Sequence, residues 1–240
     1  MPINGKPLLE FWLETLNRAG ISKILVNTHH HADLVTEYIK QSPYQKHVHI
    51  TFEENLLGTG GTLWHNRDYF KGDTVLVAHA DNLTSFDLSA YIDRHQNRPT
   101  GTTLTMMTFK TDTPETCGIV QLDSNGVVEK FFEKVKNLPA SAGNLANGAV
   151  YIVEPEIFDY LKNFKKEFID FSTEVLPHYV KERKINTFLN NVYHRDIGNI
   201  RSFLEAQFDF PLETQKPKPW NKKVLEKFQF ALSGILKDLK

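Results

Sequence analysis

Apolar and polar residues alternate along the first half of the chain with two periods, one helical and one extended. Residues 7–20 space their apolar side chains along one helix face, and the segment begins with proline and ends with glycine. The same criteria predict helices at 32–41, 58–70 and 88–96, separated by short apolar strands at 23–28, 47–53 and 74–81. Such alternation is typical of βαβ units and predicts an α/β fold with a mostly parallel, mixed sheet and flanking helices.

The second half of the chain is less regular. It predicts strands at 102–109, 117–123, 127–134, 148–155 and 184–190, and helices at 156–164, 172–182 and 199–210. The helix at 172–182 is expected to break near Pro177. Residues 1–210 are therefore predicted to form one domain.

Residues 211–240 are predicted to form a linker and a C-terminal amphipathic helix. The linker contains the sequence QKPKPW, and the helix places Val224, Phe228, Leu232 and Leu236 on one face. Two interpretations stay open for this face. It packs back on the domain, or it forms an oligomer contact such as a homodimer interface.

Composition excludes several classes of protein. The formal net charge of the 240 residues is −1, which offers no basic excess for nucleic acid. The sequence has no apolar stretch of about 18 residues that would cross a membrane, and no charged-then-apolar leader pattern. The single cysteine, Cys117, suits a reducing compartment. We therefore expect a cytoplasmic protein without nucleic-acid or membrane partners.

Two aspartates follow predicted strands and are candidates for chemistry. Asp81 ends the apolar run 74–81, and Asp196 lies between a short strand and the helix at 199–210. Ligands of open α/β sheets bind beyond the carboxyl ends of strands, where carboxylates can hold a divalent cation such as Mg²⁺. Either aspartate could instead cap a helix, although Asp87 and Asn199 are better placed for that role.

Two further stretches could contact an anionic ligand. The glycine-rich turn LLGTGGTL at 56–63 precedes or opens a helix and would allow close approach of the backbone, although a plain tight turn explains it equally well. Glu133 and Lys134 are adjacent, so in an extended segment they point to opposite faces and one of them is directed inward. A solvated charge pair is the simpler interpretation of these two residues.

Along the chain, the LGTGGTL turn, HADN around Asp81, the Glu133–Lys134 pair and RDIG around Asp196 follow one another in this order and together resemble the sugar-1-phosphate nucleotidylyltransferases. The mannose-1-phosphate guanylyltransferase-like branch looks most similar. The resemblance extends from about residue 2 to residue 207. It implies a Rossmann-like, GT-A-like domain that joins a nucleoside triphosphate to a sugar 1-phosphate, with GTP and mannose 1-phosphate as the best guess.

The resemblance also implies roles for individual residues. Asp81 and Asp196 would hold Mg²⁺, and Lys134 would contact the sugar phosphate, so these three form the implied catalytic set. The implied nucleotide site comprises Glu53, Gly58, Thr59, Gly60 and Gly61. The implied sugar-phosphate site comprises Gly118, Glu133, Lys134, Asn147 and Gly148.

The sequence departs from the family pattern at its beginning. The family starts with a strand and a glycine-rich loop that carries an arginine and is followed by a lysine, and this chain starts where that segment ends. Each donor aimed at developing charge typically contributes about 3 kcal/mol, so loss of the whole loop would nearly abolish turnover. We therefore expect the chain as given to be inactive or impaired and a longer form to be active, whether the cause is a misplaced start codon, a truncated gene or deliberate shortening.

Two other functions stay open. A non-catalytic nucleotide- or sugar-phosphate-binding protein on the same fold would explain the missing loop but not the retained Asp81, Asp196 and Lys134. A glycosyltransferase of GT-A type would also use aspartates at strand ends with a divalent cation. That class expects an Asp-x-Asp pair, whereas Asp81 is followed by Asn82.

Overall fold

The computed structural model describes residues 1–135 and 137–211. Its helices are Leu8–Arg18 (α1), Ala32–Gln41 (α2), Gly58–His65 (α3), Arg67–Phe70 (α4), Leu88–Gln96 (α5), Ile157–Leu161 (α6), Leu176–Lys181 (α7) and Ile200–Asp209 (α8). Its strands are Pro2–Ile3 (β1), Lys6–Pro7 (β2), Ile24–Thr28 (β3), Val48–Phe52 (β4), Val75–Ala78 (β5), Asn82–Ser85 (β6), Leu104–Lys110 (β7), Gly118–Leu122 (β8), Val128–Glu133 (β9), Leu145–Val153 (β10), Ile185–Leu189 (β11) and Tyr193–Asp196 (β12).

Most predicted elements are present, with two differences in the helices. The segment predicted as one helix at 58–70 is divided at Asn66 into α3 and α4. The segment at 172–182 contains a π-helical stretch, Phe171–Val175, which passes directly into α7 with Pro177 in its first turn. Proline is tolerated there because the first N–H groups of a helix have no partner within it. The predicted tail helix lies outside the described residues.

A six-stranded sheet forms the centre of the molecule. Its strand order is β11-β7-β10-β8-β9, and β5 also pairs with β10. The predicted α/β class with a mixed sheet is confirmed, with parallel pairing at β7–β11 and, in a separate sheet, at β3–β4. The strands that pair with β10 are antiparallel to it. β8 and β9 are also antiparallel to each other, because a tight turn at 123–126 joins them rather than a helix.

Apolar side chains cover both faces of this sheet. One buried cluster includes Met106, Tyr151 and Phe171, and a second cluster on the other side includes Trp12, Tyr91 and Met107. The Tyr91 hydroxyl is fully buried and lies 2.8 and 2.9 Å from the carbonyl oxygens of Thr105 and Val150. This satisfied polar group anchors α5 to the two central strands.

β3 and β5 each have one edge without a strand partner in the part of the chain that the structure describes. β3 pairs with β4, and β5 pairs with β10. Helix α1 lies beside both, since Leu16 packs against the clusters that contain Ile24 of β3 and Leu76 of β5.

Among the described residues, no helix is long and apolar enough to cross a membrane.

Candidate functional site

The carboxyl ends of three strands meet at one edge of the central sheet. β5 and β7 are both antiparallel to β10, and β11 is parallel to β7, so β5, β7 and β11 run in the same direction. The loop that carries Asp81 directly follows β5. The predicted position of Asp81 at a carboxyl edge is confirmed.

A short antiparallel ribbon brings Asp196 to the same place. β6 pairs with β12 so that Asn82 lies opposite Asp196, and the Ile197 N–H donates to the Asp81 carbonyl oxygen at 3.0 Å. Partial burial raises the pKa of the Asp196 carboxyl, and the neighbouring Asp81 charge raises it further. Two carboxylates that repel each other in this way favour a cation between them.

A bulge in β10 forms hydrogen bonds with the loop that carries Asp81. The register of β10 against β7 shifts between Asn147 and Tyr151, and Ala149 has a positive φ of 50°. Through the bulge, the Gly148 carbonyl accepts a hydrogen bond from Asn82 Nδ2 at 3.1 Å, and the Ala149 carbonyl accepts one from the His79 N–H at 3.3 Å. The bulge therefore positions the loop between β5 and β6.

Asn147 and Gly118 lie on the neighbouring strands β10 and β8. The Asn147 side chain bridges its own strand, because Nδ2 donates to the Tyr151 hydroxyl at 2.8 Å and Oδ1 accepts from the Ala149 N–H at 3.0 Å. A Cβ atom on Gly118 would lie 2.6 Å from Glu133 Oε2 and 2.7 Å from the Phe131 ring. Glycine at this position leaves room for the Glu133 carboxylate.

Lys134 lies just beyond β9 and has a left-handed backbone, with φ of 46°. The prediction that Glu133 and Lys134 point to opposite faces assumed an extended segment, and that assumption is wrong at Lys134. Burial raises the pKa of Glu133 while the Lys134 charge lowers it, and the same Lys134 charge lowers the pKa of Asp196. The charge of Lys134 therefore acts on both carboxylates.

Glu53 is buried beneath the glycine-rich turn. Its carboxylate is 4% exposed and accepts hydrogen bonds from the Leu57 N–H at 3.2 Å, Thr62 Oγ1 at 2.5 Å and Asn27 Nδ2 at 3.3 Å. These bonds connect β3 with α3 and with the loop that joins β4 to α3. In this structure Glu53 therefore stabilises the glycine-rich turn through hydrogen bonds made in the protein interior.

The glycines of the turn lie in the first residues of α3 and pack against the segment before the π-helical stretch. The N–H groups of Gly60 and Gly61 lie 3.0 and 3.4 Å from the Ile169 carbonyl oxygen. A Cβ atom on Gly58 would lie 2.6 Å from that same oxygen, and one on Gly60 would lie 2.8 Å from the Ile169 side chain. The glycines are thus required by close packing within the chain, and Gly58 and Thr59 remain partly accessible.

Two histidines at this edge were missed by the sequence analysis. His79 Nε2 lies 2.9 Å from Thr59 Oγ1, which connects the glycine-rich turn to the Asp81 loop. The ring of His194 packs at a tilt against Phe109 with their centroids 4.3 Å apart, and its Nδ1 atom is buried without a hydrogen-bond partner among the described residues. Each histidine precedes one of the two aspartates by two residues, and that spacing was the signal available in the sequence.

The residues at this edge could hold a divalent cation. Asp81 and Asp196 supply two adjacent carboxylates, and Mg²⁺ is commonly bound by one or two carboxylates together with substrate phosphates. Among the described residues, no group of three or more His, Cys, Asp or Glu side chains converges on one point. The donor set therefore fits a cation that is shared with a phosphorylated ligand.

Comparison with known proteins identifies relatives along nearly the whole described chain. A family model described as "Nucleotidyl transferase" matches residues 1–211. The chain is 26% identical over 224 residues to "Mannose-1-phosphate guanyltransferase" of Schizosaccharomyces pombe, covering 90% of this chain and 59% of that protein. It is 28% identical over 219 residues to "UTP--glucose-1-phosphate uridylyltransferase" of Synechocystis, covering 86% of this chain and 56% of that protein.

The chain thus spans less than two thirds of the length of these curated relatives. Among solved structures, HddC from Yersinia pseudotuberculosis superposes with a TM-score of 0.71 at 22% identity, covering 88% of each chain. At that identity the likeness concerns the fold, and it agrees with the predicted Rossmann-like domain.

Proposed function

The chain belongs to the nucleotidyl transferase family, and on that basis we propose that it transfers a nucleoside monophosphate from a nucleoside triphosphate to a sugar 1-phosphate. The products are an NDP-sugar and pyrophosphate. The observation that carries this proposal is the position of Asp81 and Asp196 together at the carboxyl edge of the sheet, where the charge of Lys134 acts on Asp196. For the substrates we propose GTP and mannose 1-phosphate, supported by the name of the fission-yeast relative.

The proposed reaction needs no protein nucleophile. An oxygen of the sugar phosphate attacks the α-phosphorus of the triphosphate, and a new P–O bond forms. The bond from that phosphorus to the oxygen bridging to the β-phosphorus breaks, and pyrophosphate leaves with the electron pair. Because the attacking phosphate is already an anion, catalysis depends on positioning and on neutralising charge.

In this proposal the two aspartates hold Mg²⁺ and Lys134 contacts the sugar phosphate. When bound, the cation would neutralise phosphate oxygens and orient the triphosphate. Lys134 is proposed to reduce the repulsion between the two anionic substrates, since its positive charge already acts on both Asp196 and Glu133. Glu133 is proposed to bind sugar hydroxyls, together with Gly118, Asn147 and Gly148.

The nucleotide base is proposed to lie against the start of α3. Gly58 and Thr59 are the accessible part of that turn, while Gly60 and Gly61 are buried and keep it in place. We propose that Glu53 contributes indirectly by bonding Leu57 and Thr62. A direct contact between Glu53 and the base stays a prediction.

The test is pyrophosphate release with Mg²⁺, mannose 1-phosphate and each of GTP, UTP, dTTP, ATP and CTP. It is run on the 240-residue chain and on a version extended into any upstream coding sequence of its gene. We expect GTP to give the highest rate, and Asp196→Asn to lower it at least about 100-fold, as loss of a group that stabilises developing charge does.

The matched control is Asp93→Asn, which changes an exposed aspartate on α5. Preference for another nucleotide would overturn the choice of GTP and leave the reaction class intact. If neither form releases pyrophosphate while nucleotide binds without dependence on a divalent cation, the alternative of a non-catalytic binding protein is the correct one.

A further inference from the structure

An apolar stripe follows one side of α8. Ile200, Leu204 and Phe208 are spaced four residues apart, so they lie along one face of the helix. These side chains are 41%, 49% and 88% exposed, respectively. Single exposed apolar residues are common on protein surfaces, but three in a row on one helix face indicate a surface that is normally covered.

The remainder of α8 already has its partners within the described chain. Ala206 is fully buried, and Phe203 packs with it in a cluster that contains Ile3 and Leu83. The charges beside the stripe are also paired. Arg195 contacts Glu205 and Asp209, and Arg201 Nε lies 2.8 Å from Glu205 Oε1. The stripe is therefore a separate feature, distinct from the face that holds α8 on the domain.

The size of the stripe favours a single short segment over a second copy of the domain. A stable interface between two proteins involves about 20–30 residues on each side, whereas the stripe offers three. A segment tethered to the same chain has an effective concentration in the millimolar range, so a small apolar contact is sufficient to hold it.

Such a segment follows α8 directly in the sequence. Residues 224–236 carry Val224, Phe228, Leu232 and Leu236 at the same four-residue spacing as the stripe. Between α8 and Val224 lie residues 210–223, of which the twelve at 212–223 could extend about 40 Å. The ten residues of α8 span only about 15 Å, so the chain can return along the helix.

We propose that the C-terminal segment of this chain docks on the α8 stripe, with the apolar residues at 224–236 covering Ile200, Leu204 and Phe208. This places the segment on the surface of the domain, held by the hydrophobic effect rather than by charge. It selects the first of the two interpretations that the sequence left open. The proposal does not depend on the substrate or on catalytic activity.

Hydrogen exchange of the full 240-residue chain, followed by mass spectrometry, tests the proposal. We expect amides of 224–236 to exchange at least about tenfold more slowly than those of an unstructured peptide. The double variant Leu204→Ser/Phe208→Ser should remove that protection, and so should Leu232→Ser. Gln229→Ser, between the apolar positions of the segment, is the matched control and should leave the protection unchanged.

Three results would overturn the proposal. The first is exchange of 224–236 at unprotected rates in the unaltered chain. The second is protection that persists in Leu204→Ser/Phe208→Ser, which would place the segment elsewhere. The third is a dimer by light scattering that becomes a monomer in that double variant, because a second copy would then be the occupant. The stripe residues are exposed, so the variants are expected to fold.

Discussion

At the scale of single residues, Lys134 shows how one backbone angle changes which side chains meet. An extended Lys134 would point away from Glu133, but its φ of 46° turns the chain after β9. A left-handed conformation costs a non-glycine residue roughly 1–2 kcal/mol. Backbone strain of this kind is often retained at functional sites, because it directs a side chain toward the ligand or the catalytic groups.

Lys134→Gly should separate the strain from the charge. We expect the free energy of unfolding to change by less than about 1 kcal/mol, because relief of the left-handed strain offsets the added flexibility of glycine. In the longer form, which we expect to be active, pyrophosphate release should fall at least about 100-fold, since a cation at the reacting phosphates is lost. Chemical denaturation and the nucleotide assay measure the two effects.

Lys71→Gly is the control for this variant, because Lys71 is an exposed lysine after α4 that also has a positive φ, of 47°. It should leave turnover unchanged. Full activity of Lys134→Gly would contradict the role proposed for the ammonium group.

The two aspartates give a prediction that can be tested without substrate. Replacing Asp81 by Asn should lower the pKa of the Asp196 carboxyl, because the neighbouring negative charge is one of the causes that raise it. Partial burial, the larger of the two causes that raise this pKa, remains in the variant, so only the contribution of Asp81 should be lost. Carbon-detected NMR titration of the protein without divalent cations measures the change.

Asp93→Asn, on the exposed side of α5, should leave the Asp196 titration unchanged. An unaltered pKa of Asp196 in Asp81→Asn would show that the two carboxylates do not interact in solution.

At the scale of elements, the start of α3 and the segment 167–169 are held together by their backbones. The Ile169 N–H donates to the Leu57 carbonyl at 2.8 Å, and the Ile169 carbonyl accepts from Gly60 at 3.0 Å. These bonds require the two segments of the backbone to lie closer together than a side chain on α3 would allow. The glycines in LGTGGTL therefore have a structural function that is independent of any ligand.

Gly61→Ala should destabilise the protein by about 2–3 kcal/mol, the usual range for forcing an extra methyl group into a packed contact. A Cβ atom on Gly61 would overlap the Glu167 carbonyl oxygen, which belongs to the backbone and cannot rotate away. Thermal and urea denaturation measure the loss.

Gly101→Ala is the comparison variant. A Cβ atom there meets open space, but φ is +90°, so only the conformational cost of about 1 kcal/mol is expected. Equal losses in the two variants would show that segment 167–169 yields to the added methyl group.

At the scale of the whole molecule, buried histidines connect stability to pH. Burial lowers the pKa of His194 to about 4, and burial also lowers the pKa of His95. In the unfolded chain a histidine titrates near 6.5, so the unfolded state binds the proton more readily. The stability contributed by a neutral buried histidine is therefore present above pH 6.5 and is lost as pH falls toward 4.

His194→Phe should remove part of this pH dependence. Because the ring is only half-buried although Nδ1 is fully buried, we expect a difference of about 2 kcal/mol between pH 6.5 and pH 4. Phenylalanine preserves the packing against Phe109. Urea denaturation across this range, with His65→Phe at an exposed position as control, checks the effect. Parallel curves for the unaltered protein and His194→Phe would contradict it.

The sequence by itself determined the α/β class, most helices and strands, and the positions of Asp81 and Asp196 after strands. Those features depend on local periodicity, on turn residues and on the rule that ligands bind at the carboxyl edge. The hairpin at 123–126 was also readable, because its turn residues act over a few positions.

Only the tertiary structure decided how those residues meet. The β10 bulge, the left-handed Lys134 and the buried hydrogen bonds of Glu53 each depend on contacts between segments far apart in the chain. Antiparallel pairing around β10 likewise depends on how the strands assemble in space. Local patterns predict the elements, but packing between distant elements sets the directions of strands and of the side chains at their ends.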